Sequence, residues 1–166
     1  TPELIRRMKE LVDAADVITP NLTETCMLLG EECPPVMSVA QARSWLARLS
    51  DKPGIVVIKG VPLIDDDGQK LSNVGFDKES GSFWRIDWDH IPVHYPGTGD
   101  IFTSVLTASL LKGESLPIAL NRATTFTEIA VKTTYSYGTE PRLGVLFEDC
   151  LSWLMTNTVL CDYRKL

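Results

Sequence analysis

The sequence predicts an α/β protein with a mostly parallel sheet, of which residues 1–166 hold a single partial domain. Amphipathic helical segments alternate with short apolar runs, which is the pattern of layered α/β folds. One run, Ile55-Val56-Val57-Ile58, is β-branched throughout, as is typical of a strand covered on both faces. Only two or three strands of that sheet are recognisable, fewer than a doubly wound sheet usually has. Because the chain also begins with Thr rather than Met, we expect it to be the C-terminal half of a larger domain.

The first half of the chain predicts helices arranged around two strands. Residues 2–14 carry apolar side chains at helical spacing, and residues 16–18 read as a short strand. Residues 22–29 resume a helix that Gly30 ends. Ser38 is placed to cap a third helix, which precedes the β-branched strand.

The second half predicts a hairpin or meander followed by helices. After the turn at Asp65-Asp66-Asp67-Gly68, its segments are strands over 70–76 and 83–88, a helix of about 12 residues from Asp100 to Lys112-Gly113, a helix from Ser115 to about Tyr135, and a helix over 142–156. The sequence shows no internal repeat that would suggest a solenoid or an array.

Composition argues against several classes of function. The net charge of −6 disfavours a nucleic-acid partner, because phosphate backbones attract clustered Lys and Arg. No apolar run approaches the roughly 18 residues that span a bilayer, and no signal segment is visible, so we expect a cytoplasmic protein without a membrane partner. The four cysteines form no C-x-x-C pair, which argues against zinc and predicts free thiols in a reducing compartment.

The segment Pro96-Gly97-Thr98-Gly99-Asp100 is the strongest candidate for a functional site, because an apolar helix follows it at once. Backbone N–H groups at a helix N-terminus attract phosphate, and a carboxylate beside that anion can act as a base. The alternatives are a simple turn and an aspartate that complements the helix dipole. The segment is neither a Walker A loop nor a dinucleotide fingerprint.

Two further candidates follow predicted strands. Asn21 and Glu24 lie just after the strand at residues 16–18, where a carboxylate can hold hydrated magnesium. Their spacing also fits a capping box, which spacing alone favours, and the two roles can coexist. Lys59 ends the β-branched strand and is either a phosphate-binding cation or an exposed lysine at a strand end.

Three segments together resemble the pyridoxal kinase family, which includes pyridoxamine kinases, of the ribokinase-like superfamily. They are residues 16–24 (DVITPNLTE), 56–60 (VVIKG) and 95–102 (YPGTGDIF), in the order and at the separations of the family. The pieces T-P-N-x-x-E and G-T-G-D-x-F favour pyridoxal-type kinases over sugar kinases.

The resemblance implies a three-layer α/β/α fold and ATP-dependent transfer of a phosphoryl group to the 5′-hydroxymethyl group of pyridoxal, pyridoxine or pyridoxamine. It implies that Asp100 is the base and that the amides of residues 97–99 form an anion hole. It further implies that Thr19 approaches the ATP phosphates, and that Glu24, with Asn21 nearby, organises Mg²⁺ directly or through water.

The resemblance covers only the nucleotide-side half of the family fold. Nothing in the chain corresponds to the N-terminal half, so we expect the chain alone to bind ATP weakly and to lack kinase activity. Lys59 stands where many members carry a hydroxyl residue and some a lysine. Family members are often homodimers at full length, whereas the preferred vitamer and the use of a monovalent cation stay open. The alternatives are a hydroxymethylpyrimidine or sugar kinase, and a non-catalytic truncated piece that binds or dimerises.

Overall fold

The structure is a computed structural model that describes residues 2–156 and 161–166. It divides into two compact units. The first holds the described residues up to Asp87 together with Arg164–Leu166, and the second runs from Trp88 to Tyr163.

No helix in the described ranges has both the length and the apolar character needed to cross a membrane.

The first unit contains the sheet and the helices that pack on it. Its elements are, in chain order, α1 (Pro2–Asp13), β1 (Val17–Ile18), α2 (Leu22–Leu29), β2 (Met37–Ser38), α3 (Val39–Leu49), β3 (Ile55–Asp65), β4 (Gly68–Asp77), β5 (Ser82–Trp88) and β6 (Arg164–Lys165). The helices and strands predicted before residue 89 all correspond to one of these elements, and the predicted Ser38 cap is present, with Gln41 N–H donating to Ser38 Oγ.

The α/β class is therefore confirmed, but the strand ladders within this chain are mixed rather than mostly parallel. β1 and β2 both pair in parallel with β3, whereas β3 pairs antiparallel with β4, and β5 pairs antiparallel with β6. The reason lies in the connections. Only Asp66 and Asp67 join β3 to β4, and a turn of two residues cannot make the long crossover that parallel neighbours need.

β3 is the central strand of this unit and organises its core. It carries five fully buried aliphatic side chains, and α3 turns its buried face towards the same core. The buried residues of these two elements are Val56, Val57, Ile58, Val61, Leu63, Ala42, Trp45, Leu46 and Leu49. Burial on this scale is the main source of stability for the strand that positions Lys59.

The second unit consists, in its described part, of helices and turns. α4 (Thr98–Leu111) and α5 (Leu116–Tyr137) pack against each other, and a short α6 (Leu151–Leu154) follows two 3₁₀ turns at Pro141–Leu143 and Glu148–Cys150. Phe126 and Ala130 of α5 form a small apolar core with Cys150. The predicted helices after Asp100 and after Ser115 are confirmed by α4 and α5.

The predicted helix over residues 142–156 is wrong, because residues 144–147 are not helical. Gly144 has a φ of 80°, and a Cβ there would lie 3.3 Å from Pro96 O. The backbone N–H of Leu146 donates to Thr134 Oγ1 at 2.8 Å instead of to a helical carbonyl. Packing against α5 thus overrides the helical spacing of this segment.

The expectation that all four cysteines are free thiols is also wrong. Cys26 and Cys33 form a disulfide with their Cα atoms 5.6 Å apart, while Cys150 is a buried free thiol and Cys161 an exposed one. Gly30 ends α2 in the left-handed region, with a φ of 70°. The chain can therefore turn back and bring Cys33 beside the helix it has just left.

Candidate functional site

The turn between β1 and α2 holds the first group of predicted residues. Asn21 is the N-cap of α2: its Oδ1 accepts a hydrogen bond from the Glu24 N–H at 2.8 Å, and its own N–H donates to Glu24 Oε2 at 2.8 Å. The capping-box interpretation is thus confirmed. Both side chains are exposed, and Glu24 Oε1 accepts no hydrogen bond from the described residues. One carboxylate oxygen stays available for a ligand.

Lys59 lies at the same edge of the sheet as this turn. The parallel ladder pairs Ile18 with Val56, and it continues through a hydrogen bond from Lys59 N–H to Pro20 O at 2.9 Å. Asn21 and Lys59 face each other as an isolated parallel bridge. Thr19 lies half-buried between β1 and this bridge. The first unit therefore brings Thr19, Asn21, Glu24 and Lys59 to the carboxyl end of β1, the edge where open α/β sheets bind ligands.

A bulge that the sequence analysis did not predict shapes the backbone at Lys59. The β3–β4 register shifts between Ile58 and Val61, and Gly60 has a φ of 68°. The Gly60 N–H donates to Oδ1 of the buried Asn73 at 3.0 Å. The sequence held one signal for this bulge, which is Gly60 inside an apolar strand pattern, because a glycine in a strand is typical of a bulge. No sequence signal pointed to Asn73.

The bend before α4 holds the second group of predicted residues. Gly97 is the N-cap of α4 with a φ of 88° and a ψ of −9°, a conformation that glycine adopts at little cost. Its carbonyl accepts from the N–H groups of Asp100 and Ile101, both at 3.1 Å. Thr98 Oγ1 donates to Tyr95 O at 3.2 Å, which closes the bend.

This bend leaves donors available for an anion. The N–H groups of Thr98 and Gly99 belong to the first turn of α4, and neither has an acceptor among the described residues. The dipole of a 14-residue helix adds positive potential at the same point. Asp100 lies in that first turn with an exposed side chain. The second unit thus places two backbone donors and one carboxylate around one small volume.

A cavity of about 900 Å³ begins at this bend and continues along α4. Gly97 and Asp100 line one end, and Arg122 and Glu114 line another part. Arg122 donates to both carboxylate oxygens of Glu114, from Nη2 at 2.7 Å and from Nε at 3.1 Å. This guanidinium holds the pKa of Glu114 below its usual value of 4.5, although partial burial opposes the shift. The charges of Arg122 and Glu114 therefore compensate each other.

The described residues contain no group of three or more His, Cys, Asp and Glu side chains that could hold a metal ion. Glu24 offers a single carboxylate at the end of β1. Such a donor suits a cation that keeps most of its water ligands, as Mg²⁺ does, and does not suit a dehydrated zinc site.

Comparison with known protein families assigns most of the chain to one family. Residues 1–143 match the family described as phosphomethylpyrimidine kinase. A hydroxymethylpyrimidine/phosphomethylpyrimidine kinase of Haemophilus influenzae is 30% identical over 130 residues, which is 78% of this chain and 48% of that protein. The chain spans about half the length of the curated relatives it matches.

Solved structures extend the similarity to the whole chain. A Bacteroides thetaiotaomicron protein assigned as a phosphomethylpyrimidine kinase is 38% identical and superposes with a TM-score of 0.93 over 100% of this chain and 57% of its own. A second crystal form of that protein contains pyridoxal. An ADP complex of Bacillus subtilis pyridoxal kinase is 28% identical, with a TM-score of 0.64 over 79% of this chain and 48% of its own.

Proposed function

Because the chain belongs to the phosphomethylpyrimidine kinase family of ribokinase-like enzymes, we propose that it is the phosphate-handling part of a kinase. That kinase transfers a phosphoryl group from ATP to the hydroxymethyl group of pyridoxal, pyridoxine or pyridoxamine. The observation that carries the proposal is the start of α4, where the N–H groups of Thr98 and Gly99 and the carboxylate of Asp100 lie within one turn.

In this mechanism the bend stabilises charge and Asp100 moves a proton. The backbone donors of residues 97–99 bind the phosphoryl group in transfer, whose equatorial oxygens carry the negative charge. Asp100 accepts the proton of the substrate hydroxyl. At the same time the hydroxyl oxygen forms the new bond to phosphorus, and the bond between phosphorus and the ADP oxygen breaks. The proton then leaves Asp100 for water. The products are ADP and the phosphorylated alcohol.

The edge of the sheet at β1 contributes groups that suit the nucleotide. Glu24, supported by Asn21, would hold Mg²⁺ through its free Oε1 or through water, and the ion would neutralise phosphate charge. Thr19 would contact the phosphates, and Lys59 adds a cation to the same edge.

Two observations on relatives bear on the acceptor. Pyridoxal is present in a crystal form of the 38% identical Bacteroides thetaiotaomicron protein, and this supports pyridoxal-type vitamers. The curated relatives are hydroxymethylpyrimidine/phosphomethylpyrimidine kinases, and they support hydroxymethylpyrimidine as the second candidate. Both acceptors carry a hydroxymethyl group on an aromatic nitrogen ring. Assays of ADP release with pyridoxal, hydroxymethylpyrimidine and ribose separate the two candidates from each other and from a sugar kinase.

The chain corresponds, in this proposal, to only part of the active kinase. We propose that residues 1–166 are a single partial domain of the kinase, which the half-length match to relatives supports. We also propose that the whole kinase is cytoplasmic and homodimeric. The isolated chain should therefore bind ATP weakly and turn over no pyridoxal. Micromolar ATP binding with turnover by this chain, measured by titration calorimetry and ADP release, would contradict this part of the proposal.

Replacement of Asp100 tests the proposed base. In the native gene product that carries this chain, Asp100→Ala should lower kcat by about 10²–10⁴-fold. The KM for ATP should stay close to wild type, because the base acts mainly in the transition state. Asp66→Asn, at an exposed position of the β3–β4 turn, is the matched control and should keep full activity. An Asp100→Ala enzyme with more than about a tenth of the wild-type rate would refute the role.

A further inference from the structure

A β-bulge beside Lys59 interrupts the ladder between β3 and β4. The register shifts between Ile58 and Val61, which are separated by two residues on β3. Their pairing partners on β4 are separated by Asn73 alone. Lys59 and Gly60 therefore lie opposite Asn73, and two residues against one define a bulge. Asn73 is thus the residue of β4 that faces the segment carrying Lys59.

The core of the first unit requires this extra residue. Side chains of a regular strand alternate between the two faces of the sheet, so residues an even number apart share a face. Four β3 side chains lie together in one apolar core, and they are Val56, Ile58, Val61 and Leu63. The first two are an odd number of positions from the last two, so one extra residue must lie between them. That residue falls at the bulge.

The side chain of Asn73 holds the bulge from the opposite strand. Its Oδ1 accepts a hydrogen bond from the Gly60 N–H at 3.0 Å. A bulge takes an N–H group out of the regular ladder, and a buried N–H group without an acceptor is costly. Because Asn73 is only 6% exposed, its oxygen rather than bulk water satisfies this N–H group. The bulge therefore depends on the amide of Asn73.

The backbone of Lys59 is fixed on its other side by the turn that carries Asn21 and Glu24. The Lys59 N–H donates to Pro20 O at 2.9 Å, and Lys59 forms the isolated parallel bridge with Asn21. Two consecutive N–H groups are thus held in place, one from the β1 side and one from β4. A displacement at Gly60 would move Lys59 relative to the carboxylate of Glu24.

We infer that Asn73 is a positioning residue for ATP binding and that it acts through Lys59. Its amide keeps Gly60 in the left-handed backbone conformation, with a φ of 68°, and so presents Lys59 to the ATP phosphates at the carboxyl end of β1. The inference rests on the proposed function, which assigns this edge of the sheet to the nucleotide. Asn73 itself is buried in β4 and does not contact the nucleotide.

Replacement of Asn73 removes the acceptor of the Gly60 N–H. In the native gene product that carries this chain, Asn73→Ala should raise the KM for ATP by about tenfold, the effect of losing one hydrogen bond to a charged group. The kcat should stay within about twofold of wild type, because a contact made equally in the ground state and the transition state changes KM alone. Titration calorimetry should show the same loss of ATP affinity without an acceptor substrate.

Ser72→Ala is the matched control, because it removes a buried hydrogen bond at the neighbouring position of the same strand. Ser72 is fully buried, and its Oγ donates to Asp87 Oδ1 at 2.7 Å. Ser72→Ala should lower the melting temperature about as much as Asn73→Ala does, and it should leave the KM for ATP unchanged. An effect of lost stability on KM would appear in both variants.

A double variant tests whether Asn73 acts through Lys59. Lys59→Ala alone should raise the KM for ATP by about tenfold, and the further change Asn73→Ala should then alter it by less than about twofold. If circular dichroism shows that Asn73→Ala does not fold, Gly60→Val takes its place in the same measurements. A β-branched residue does not hold the left-handed backbone, and a Cβ at Gly60 would meet no heavy atom within 4 Å.

Three results would overturn the inference if the wild-type protein binds ATP. The first is an unchanged KM for ATP in the folded Asn73→Ala variant or in Gly60→Val used in its place. The second is an equal rise in KM in Ser72→Ala. The third is a rise that adds in full to the effect of Lys59→Ala. A wild-type protein that binds no ATP would instead refute the proposed function on which the inference rests.

Discussion

Gly97 and Gly113 allow the proposed phosphate-binding role of the bend before α4 to be separated from its effect on stability. Both glycines flank α4, with φ values of 88° and 83°, and an added Cβ would meet no heavy atom within 4 Å at either position. Replacement by alanine therefore introduces no clash. Its cost is the left-handed backbone alone, which is about 1–2 kcal/mol for a residue with a Cβ.

The net change in stability follows from two opposing effects. Alanine also restricts the unfolded chain, which offsets about 0.4–1 kcal/mol of that cost. Gly97→Ala and Gly113→Ala should therefore each lower the free energy of unfolding by about 1 kcal/mol, or the melting temperature by about 2–4 °C. Urea unfolding followed by circular dichroism measures the first quantity, and calorimetry measures the second.

The two variants should differ in function. In the native gene product, Gly97→Ala should reduce kcat/KM for phosphoryl transfer by at least about tenfold, because in the proposed mechanism the bend presents the Thr98 and Gly99 N–H groups to the phosphoryl group. Gly113→Ala, at the other end of α4, should keep the wild-type kcat/KM. Equal losses of activity in the two variants would show that stability, and not the bend, explains the effect, and the reasoning would fail.

Two further predictions concern local contacts. Asn21→Ala should lower the free energy of unfolding by about 1 kcal/mol, because it removes the α2 cap. Glu24→Gln should keep the cap through its amide oxygen and should only raise the Mg²⁺ concentration needed for activity. An unchanged Mg²⁺ dependence in Glu24→Gln would contradict the proposed metal role. Arg122 lowers the pKa of Glu114, so this pair stabilises the fold fully above pH 4.5 and less as pH falls through the lowered value. The difference in unfolding free energy between wild type and Glu114→Gln should therefore shrink on acidification below pH 4.5, and a difference that grows would contradict the ion-pair account.

Local signals predicted most of the secondary structure because they act within a few residues. The β-branched run at Ile55–Ile58 became the centre of β3, and the Asn21-to-Glu24 spacing became a capping box. The glycine before α4 became a left-handed N-cap. These signals depend only on residue type and on the spacing of residues a few positions apart, and both can be read directly from the sequence.

Features that depend on distant residues were not predictable in the same way. The bulge at Gly60 is held by Asn73, which lies on the next strand. Gly144 lies against Pro96, and the Leu146 N–H is taken by Thr134, so a segment with helical spacing is not helical there. The Cys26–Cys33 disulfide likewise depends on the return of the chain after Gly30. Tertiary packing decides each of these cases.

The most direct test is a crystal structure of the native gene product with Mg²⁺ and AMP-PNP. The account predicts that the γ-phosphate lies within hydrogen-bond distance of the Thr98 and Gly99 N–H groups, with the Asp100 carboxylate facing the acceptor side of the phosphorus. A γ-phosphate bound away from the start of α4 would contradict the account.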